Sequence, residues 1–180
     1  RRVGVVGLGA GALAAYGRPG DVFRFYEINP MVIDFSRRYF TYLARSAARI
    51  EIAEGDARLT MAAEPPQRYD VLVIDAFSGD SIPAHLLTRE AFALYLRHTA
   101  PGGVLAFHIS NQYADLAPVI RALASAAGVA CTRLASPADS RLAALASVWM
   151  VADTSRPAAS PPDRRFLWTD DENSILRVLR

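Results

Sequence analysis

At 180 residues, with 52% hydrophobic and 21% charged side chains, the chain has the composition of one globular domain that can bury a full core, not of a disordered segment. A formal charge of +2, from scattered arginines with no basic run interleaved with aromatics, leaves no electrostatic footprint for nucleic acid. Cys131 is the single cysteine, which excludes a disulfide framework, and His85, His98 and His108 show no metal-ligand spacing.

The opening RRVGVVGLGAGALAAY superficially resembles a signal peptide, two arginines before an apolar run. Gly4, Gly7, Gly9 and Gly11 make a poor helical segment, and the pattern predicts a strand over 3–8 followed by a glycine-rich turn. The chain does not open on Met and is expected to be cut from something longer. No run approaches the roughly 18 apolar residues that span a membrane.

Gly7, Gly9 and Gly11 lie between that strand and a short helical stretch. There they let backbone N–H groups approach a ligand closely, with a helix N-terminus behind them; a merely tight turn is the alternative. A second strand, 22–28, carries Glu27 near its end, where a carboxylate accepts hydrogen bonds from both hydroxyls of a ribose. A solvated strand-end Glu is the plainer reading. Gly7-x-Gly9-x-x-Ala12 with Glu27 also satisfies a dinucleotide fingerprint, so a nicotinamide cofactor competes. A helix over 31–43 follows, with Asn29 as its cap and Pro30 in its first turn.

The strand 49–53 leads into Gly55-Asp56-Ala57 and a helix over 56–63. Asp56 there can accept from an adenine amino group while the Ala57 N–H meets a ring nitrogen, which favours an S-adenosylmethionine-type nucleoside over a dinucleotide. An N-cap role for Asp56 is compatible with this. The strand 69–74 runs straight into Asp75, at the carboxyl-end crevice where open α/β sheets bind ligands. Its loop, DAFSGDSIPAHLL, holds Asp75 and Asp80 among small residues, and paired anions suit a cationic substrate; a turn or cap residue is the alternative reading of Asp80.

Helices over 88–99 and 116–127 and strands over 104–109, 129–134 and 145–151 complete the pattern. The link between the last two strands is too short for a parallel crossover with its own helix, so strand seven is expected to run antiparallel. The alternation predicts an α/β, Rossmann-like domain: a seven-stranded, mostly parallel sheet with an antiparallel last strand and helices on both faces. Residues 1–155 are read as the nucleoside-binding catalytic domain. Residues 156–180 form a Pro-rich linker and a C-terminal segment packed on it.

The segments VVGLGAG, YEINP, EGDA, YDVLVIDAFSGDSIP and LTREAFALYLRHTAPGGVLAFHISN together resemble the spermidine synthase-like proteins, the polyamine aminopropyltransferases. They look closest to the bacterial branch often fused to a transporter-like membrane segment, whose C-terminal signature WTDDENSIL is similar to. The resemblance implies the class I S-adenosylmethionine-dependent methyltransferase fold. By it, Gly7, Gly9 and Gly11 hold the sulfonium nucleoside, Glu27 its ribose, and Asp56 with Ala57 its adenine. Asp75 becomes the catalytic carboxylate, with Asp80, Ser78 and Tyr113 on the substrate. The implied reaction moves an aminopropyl group from decarboxylated S-adenosylmethionine to a small polyamine such as putrescine, without a metal.

Two departures qualify the match: Ala10 stands where aminopropyltransferases usually carry an Asp in the glycine loop, and their N-terminal β-hairpin domain lies outside this chain. The alternatives are methyl transfer from S-adenosylmethionine to a small molecule, a non-catalytic nucleoside-binding domain of a fused transporter, and an NAD-dependent dehydrogenase. The expected partner is a small-molecule amine, not nucleic acid. A homodimer and a fusion to a membrane segment outside this chain stay open. The expected location is cytoplasmic, free or tethered to the inner membrane through such a segment.

Overall fold

Strands that read as continuous apolar runs are those a parallel sheet covers on both faces. In the computed structural model, which describes residues 1–77, 82–111, 113–141 and 144–179, these are β1 (Arg2–Val6), β2 (Val22–Glu27), β4 (Tyr69–Ile74) and β5 (Thr99–His108). β3 (Arg49–Glu54) forms one edge, and β6 (Val129–Ser136) with β7 (Ser147–Pro157) the other. The order is β3-β2-β1-β4-β5-β7-β6. β1 to β5 are parallel, and β7 runs antiparallel to both β5 and β6, as the short link between the last two strands requires. The sheet therefore reverses its winding between β1 and β4, and the loops after those two strands open a crevice between them.

Alternation along each strand sorts the side chains into two layers. Val3, Val5, Phe23, Phe25 and Val73 face α1 (Pro30–Tyr39) and α2 (Tyr42–Arg45), where Ile33 and Leu43 meet them. Val6, Tyr26, Leu72, Ile74, Leu105 and Phe107 face α3 (Ala57–Ala63), α4 (Arg89–His98) and α5 (Ala117–Ala126). The C-terminal segment joins this second layer through Trp168, which is buried, and Val178.

Most boundaries fall within two residues of expectation, and three differ in kind. The helix expected over 31–43 is interrupted: Phe40 is extended and the chain restarts at Tyr42, within a run of aromatic and β-branched residues that favour helix weakly. β5 starts at Thr99, so Pro101-Gly102-Gly103 lies inside a strand rather than after a helix. β7 extends to Pro157, past the expected 145–151 and into the expected linker, because it is paired on both sides: Asp153 faces Val104 on β5 and Ala130 on β6.

Candidate active site

The crevice is a cleft of about 580 Å³ lined by the turn after β1, the end of β2, the β3–α3 turn and the end of β4. Gly7 brings the first two walls together. Its φ is +96°, and a Cβ there would lie 2.4 Å from the Asp75 carbonyl oxygen, so β1 and β4 approach as they do only with glycine. Gly7 donates its N–H to the Tyr26 carbonyl, and Asp75 donates its own to Val6, extending the sheet to the lip of the cleft. Gly9 also lines the cleft, with open space where a Cβ would stand. Gly11 lies outside the cleft wall and caps the short 3-10 helix Ala12–Tyr16.

Glu27 is buried, not solvated, and its carboxylate joins the first two turns. One oxygen accepts the Leu8 N–H at 3.0 Å and the other the Asn29 N–H at 2.9 Å. Each carboxylate oxygen has two lone pairs, so one on each remains for a ligand such as a ribose diol. Asp56 is the N-cap of α3, accepting the Leu59 N–H at 2.9 Å, while its other oxygen lies 3.4 Å from His85 Nε2. Ala57 follows as the first helical residue, whose N–H has no intrahelical acceptor, and it lines the cleft. Ile28, Phe77 and Leu86 supply apolar walls.

Asp75 is about one-third exposed at the cleft and carries a partner that the sequence reading did not name. Because Ile74 pairs with Phe107, the next residues of the two parallel strands stand side by side, and His108 Nδ1 lies 2.7 Å from Asp75 Oδ1. The available signal was a polar residue at the carboxyl end of the strand next to β4; the histidines were weighed only for metal spacing. His85, beside Asp56, was missed likewise. Of the remaining candidates, Ser78 and Asp80 lie outside the described residues. Tyr113 is exposed and lines neither this cleft nor the neighbouring one.

The C-terminal WTDDENSIL braces the β3–α3 side of the cleft. Arg58, next to Ala57, makes a two-pronged pair with Asp170 at 2.9 and 2.8 Å, and Thr88 donates its hydroxyl to the same carboxylate at 2.7 Å. The hydrogen bonds from Arg58 and Thr88 hold the Asp170 carboxyl low, at about 2.

Glu27, Asp56 and Asp75 make the cleft acidic, and among its described lining residues there is no arginine or lysine. Such a surface attracts a sulfonium and an amine and repels a pyrophosphate. Among the described residues no cluster of three or more His, Cys, Asp or Glu side chains could hold a metal ion, and no helix is long and apolar enough to cross a membrane.

Comparison with known proteins agrees on the architecture. The fold is that of the class I S-adenosylmethionine-dependent methyltransferases, in the form shared with spermidine synthases. A probable spermidine synthase from Corynebacterium glutamicum superposes with a TM-score of 0.61 at 22% identity, over 84% of this chain and 55% of its own. Human methyltransferase-like protein 13 in complex with SAH superposes with a TM-score of 0.68 at 17% identity, over 92% of this chain and 76% of its own. In sequence, a polyamine aminopropyltransferase of Vibrio vulnificus is 31% identical over 107 residues, 58% of this chain and 36% of that protein. Putrescine N-methyltransferase 2 of Nicotiana tabacum is 30% identical over 81 residues, 44% of this chain and 23% of its own. The chain thus spans little more than a third of the length of the first relative and less of the second. No family model matches. Fold and distant similarity together support an S-adenosylmethionine-binding transferase.

Proposed function

We propose that this chain is the catalytic core of a spermidine synthase-like aminopropyltransferase, which moves an aminopropyl group from decarboxylated S-adenosylmethionine to a small polyamine such as putrescine. The observation that carries this reading is the cleft that gathers Glu27, Asp56 and Asp75 with no arginine or lysine among its described lining residues, Asp75 standing at the lip of β4 beside the glycine turn. Similarity to the aminopropyltransferase of Vibrio vulnificus supports it.

The acidic residues have distinct tasks. Glu27 holds the ribose on its two spare lone pairs, and Asp56 with Ala57 receives the adenine. The bound sulfonium supplies an electron-poor carbon and a neutral thioether leaving group. The amine must attack as the free base. An alkylammonium resembles Lys, with a pKa of roughly 10.4, so at neutral pH only about one molecule in a few thousand is ready, a deficit of about 4–5 kcal/mol. Asp75 bears on it by accepting the ammonium's proton in the site, which frees the nitrogen lone pair to attack the carbon. Asp80 is assigned to a second ammonium of the acceptor, which accounts for a second acid in this loop.

One residue favours a second reading. Ala10 replaces the acid that would hold the aminopropyl ammonium, and a methyl donor needs no such contact. N-methyl transfer to a small amine therefore stands as the alternative within the same site. The test is a transfer assay with putrescine and radiolabelled donor, decarboxylated or not, on wild type and Asp75→Asn. Aminopropyl transfer from the decarboxylated donor, lowered about 10²–10⁴-fold by Asp75→Asn with methylthioadenosine binding intact, is the expected result. Transfer only from S-adenosylmethionine selects methylation. Tighter binding of NAD than of methylthioadenosine refutes both.

A further inference from the structure

His108 is a buried-strand residue that the reaction described so far does not use, yet every polar atom of its ring is engaged. Nδ1 lies 2.7 Å from Asp75 Oδ1 and Nε2 lies 2.9 Å from Ser110 Oγ. Ser110 Oγ in turn accepts the Val148 N–H at 2.7 Å. Trp149 stacks on the imidazole at 4.5 Å and Phe77 meets it edge to face at 5.1 Å.

The donor inventory leaves one neutral arrangement. An ionised carboxylate only accepts, so the proton between Asp75 and the ring sits on Nδ1. A neutral ring then has Nε2 as an acceptor, and the Ser110 hydroxyl must donate to it. That leaves the Ser110 oxygen free to take the Val148 N–H, as observed. The chain of contacts ties Asp75 through β5 to the backbone of β7, at the point where His108 pairs with Trp149. Asp75 Oδ2 has no partner among the described residues.

We propose that His108 is the positioning residue of Asp75, its Nδ1–H fixed by that carboxylate and its Nε2 anchored by the Ser110 hydroxyl, so that Oδ1 is fixed and Oδ2 is the carboxylate oxygen presented to the substrate's proton. This rests on the reading of Asp75 as proton acceptor, but its geometry can be tested without turnover. In the transfer step the ammonium proton passes to Oδ2, the freed nitrogen lone pair forms the C–N bond, and the C–S electron pair goes to sulfur; His108 keeps its Nδ1–H throughout. The other ionisable groups lining this cleft are Tyr26, Glu27, Asp56 and His85.

The same three residue types at these distances also describe an acyl-transfer triad, with Ser110 as nucleophile. The surroundings oppose that use. Asp75 faces the nucleoside cleft while Ser110 faces a separate one, beside Asn111, Arg133 and Ser147, and its oxygen already accepts a backbone N–H.

Long-range 1H–15N spectra of the labelled chain at about pH 8 read the tautomer directly, with His108 assigned from the signals lost in His108→Asn. The expected pattern is Nδ1–H in wild type and in Ser110→Ala. In Asp75→Ala it should convert to Nε2–H, now donated to Ser110. An Nε2–H ring in wild type, or no conversion in Asp75→Ala, overturns the proposal whatever the activity. Modification of Ser110 by a fluorophosphonate also overturns it.

Kinetics separate this inference from the reading beneath it. With the donor that supports transfer to putrescine, His108→Phe should lower kcat about 10–100-fold, leaving methylthioadenosine affinity within about twofold. His108→Asn, whose amide nitrogen can stand near the place of Nδ1, should recover most of the loss. Full turnover in His108→Phe with an inactive Asp75→Asn sinks the positioning role alone. Full turnover in Asp75→Asn sinks the functional reading itself.

Discussion

Replacing Glu27 should act on both fold and ligand, and the two effects can be separated. The residue is 9% exposed and its carboxylate satisfies the N–H groups of Leu8 and Asn29, so it fastens the glycine turn to the start of α1. Glu27→Ala orphans both donors. A buried unsatisfied donor costs about 1–3 kcal/mol, and the Asn29 N–H, being only part-buried, can recover some of that from water. A total near 2–4 kcal/mol follows, which for a chain of this length lowers Tm by about 5–15 °C. Glu27→Gln keeps one acceptor and turns its NH2 against the other N–H, so about half that loss is expected. Charge-assisted hydrogen bonds to a ribose contribute roughly 1.5–3 kcal/mol each, so both variants should bind methylthioadenosine at least about tenfold more weakly. Circular dichroism melting and isothermal titration measure the two quantities on the same samples. A Tm for Glu27→Ala within about 2 °C of wild type refutes the fastening role, and an unchanged Kd in Glu27→Gln refutes the ribose assignment.

Gly7→Ala must move its Cβ away from the Asp75 carbonyl, 2.4 Å away, and hold a φ of +96°, so it should unfold the crevice and fail to give soluble protein; a normal melting curve contradicts this. Gly9→Ala, with open space around its Cβ and only the left-handed strain of a φ of +51° to bear, should fold with some loss of stability but lose nucleoside affinity, since that space belongs to the cleft. His98 is fully buried, and desolvation followed by the charge of Arg97 lowers its pKa below the ordinary 6.5. The unfolded chain therefore binds the proton more readily: the contribution is complete above about 6.5 and is lost as pH falls through the lower folded value. Urea unfolding at stepped pH should show that decline, and the same decline in a folded His98→Gln protein rules His98 out as its source. Asp170, held at about 2 against an ordinary 3.8, has the carboxylate sign: its pair with Arg58 is complete above about 3.8 and lost as pH falls toward 2. At 44% exposure the pair is screened, so no more than about 1 kcal/mol is expected; Trp168 fluorescence should report the loosening, and Asp170→Asn should remove that step.

The layered α/β architecture was legible along the chain because its determinants are local. Uninterrupted apolar strands, the Asn29-Pro30 start of α1 and the short link before β7 each constrain their own segment, and together they admit few topologies. That Gly7, Glu27, Asp56 and Asp75 would line one crevice was legible for the same reason: each stands at or just after the end of a strand, where an α/β sheet opens its crevice. What only the tertiary structure decided depends on register and on distant partners. Glu27 looked like a strand-end acid and proved to be a buried fastening between two turns. The pairing of Asp75 with His108 follows from Ile74 lying beside Phe107, a match between strands 33 residues apart. The grip of Asp170 on Arg58 joins residues separated by 112 positions. A pattern of spacings carries no information about which strand ends meet side by side, because register is set by packing both faces of the sheet at once.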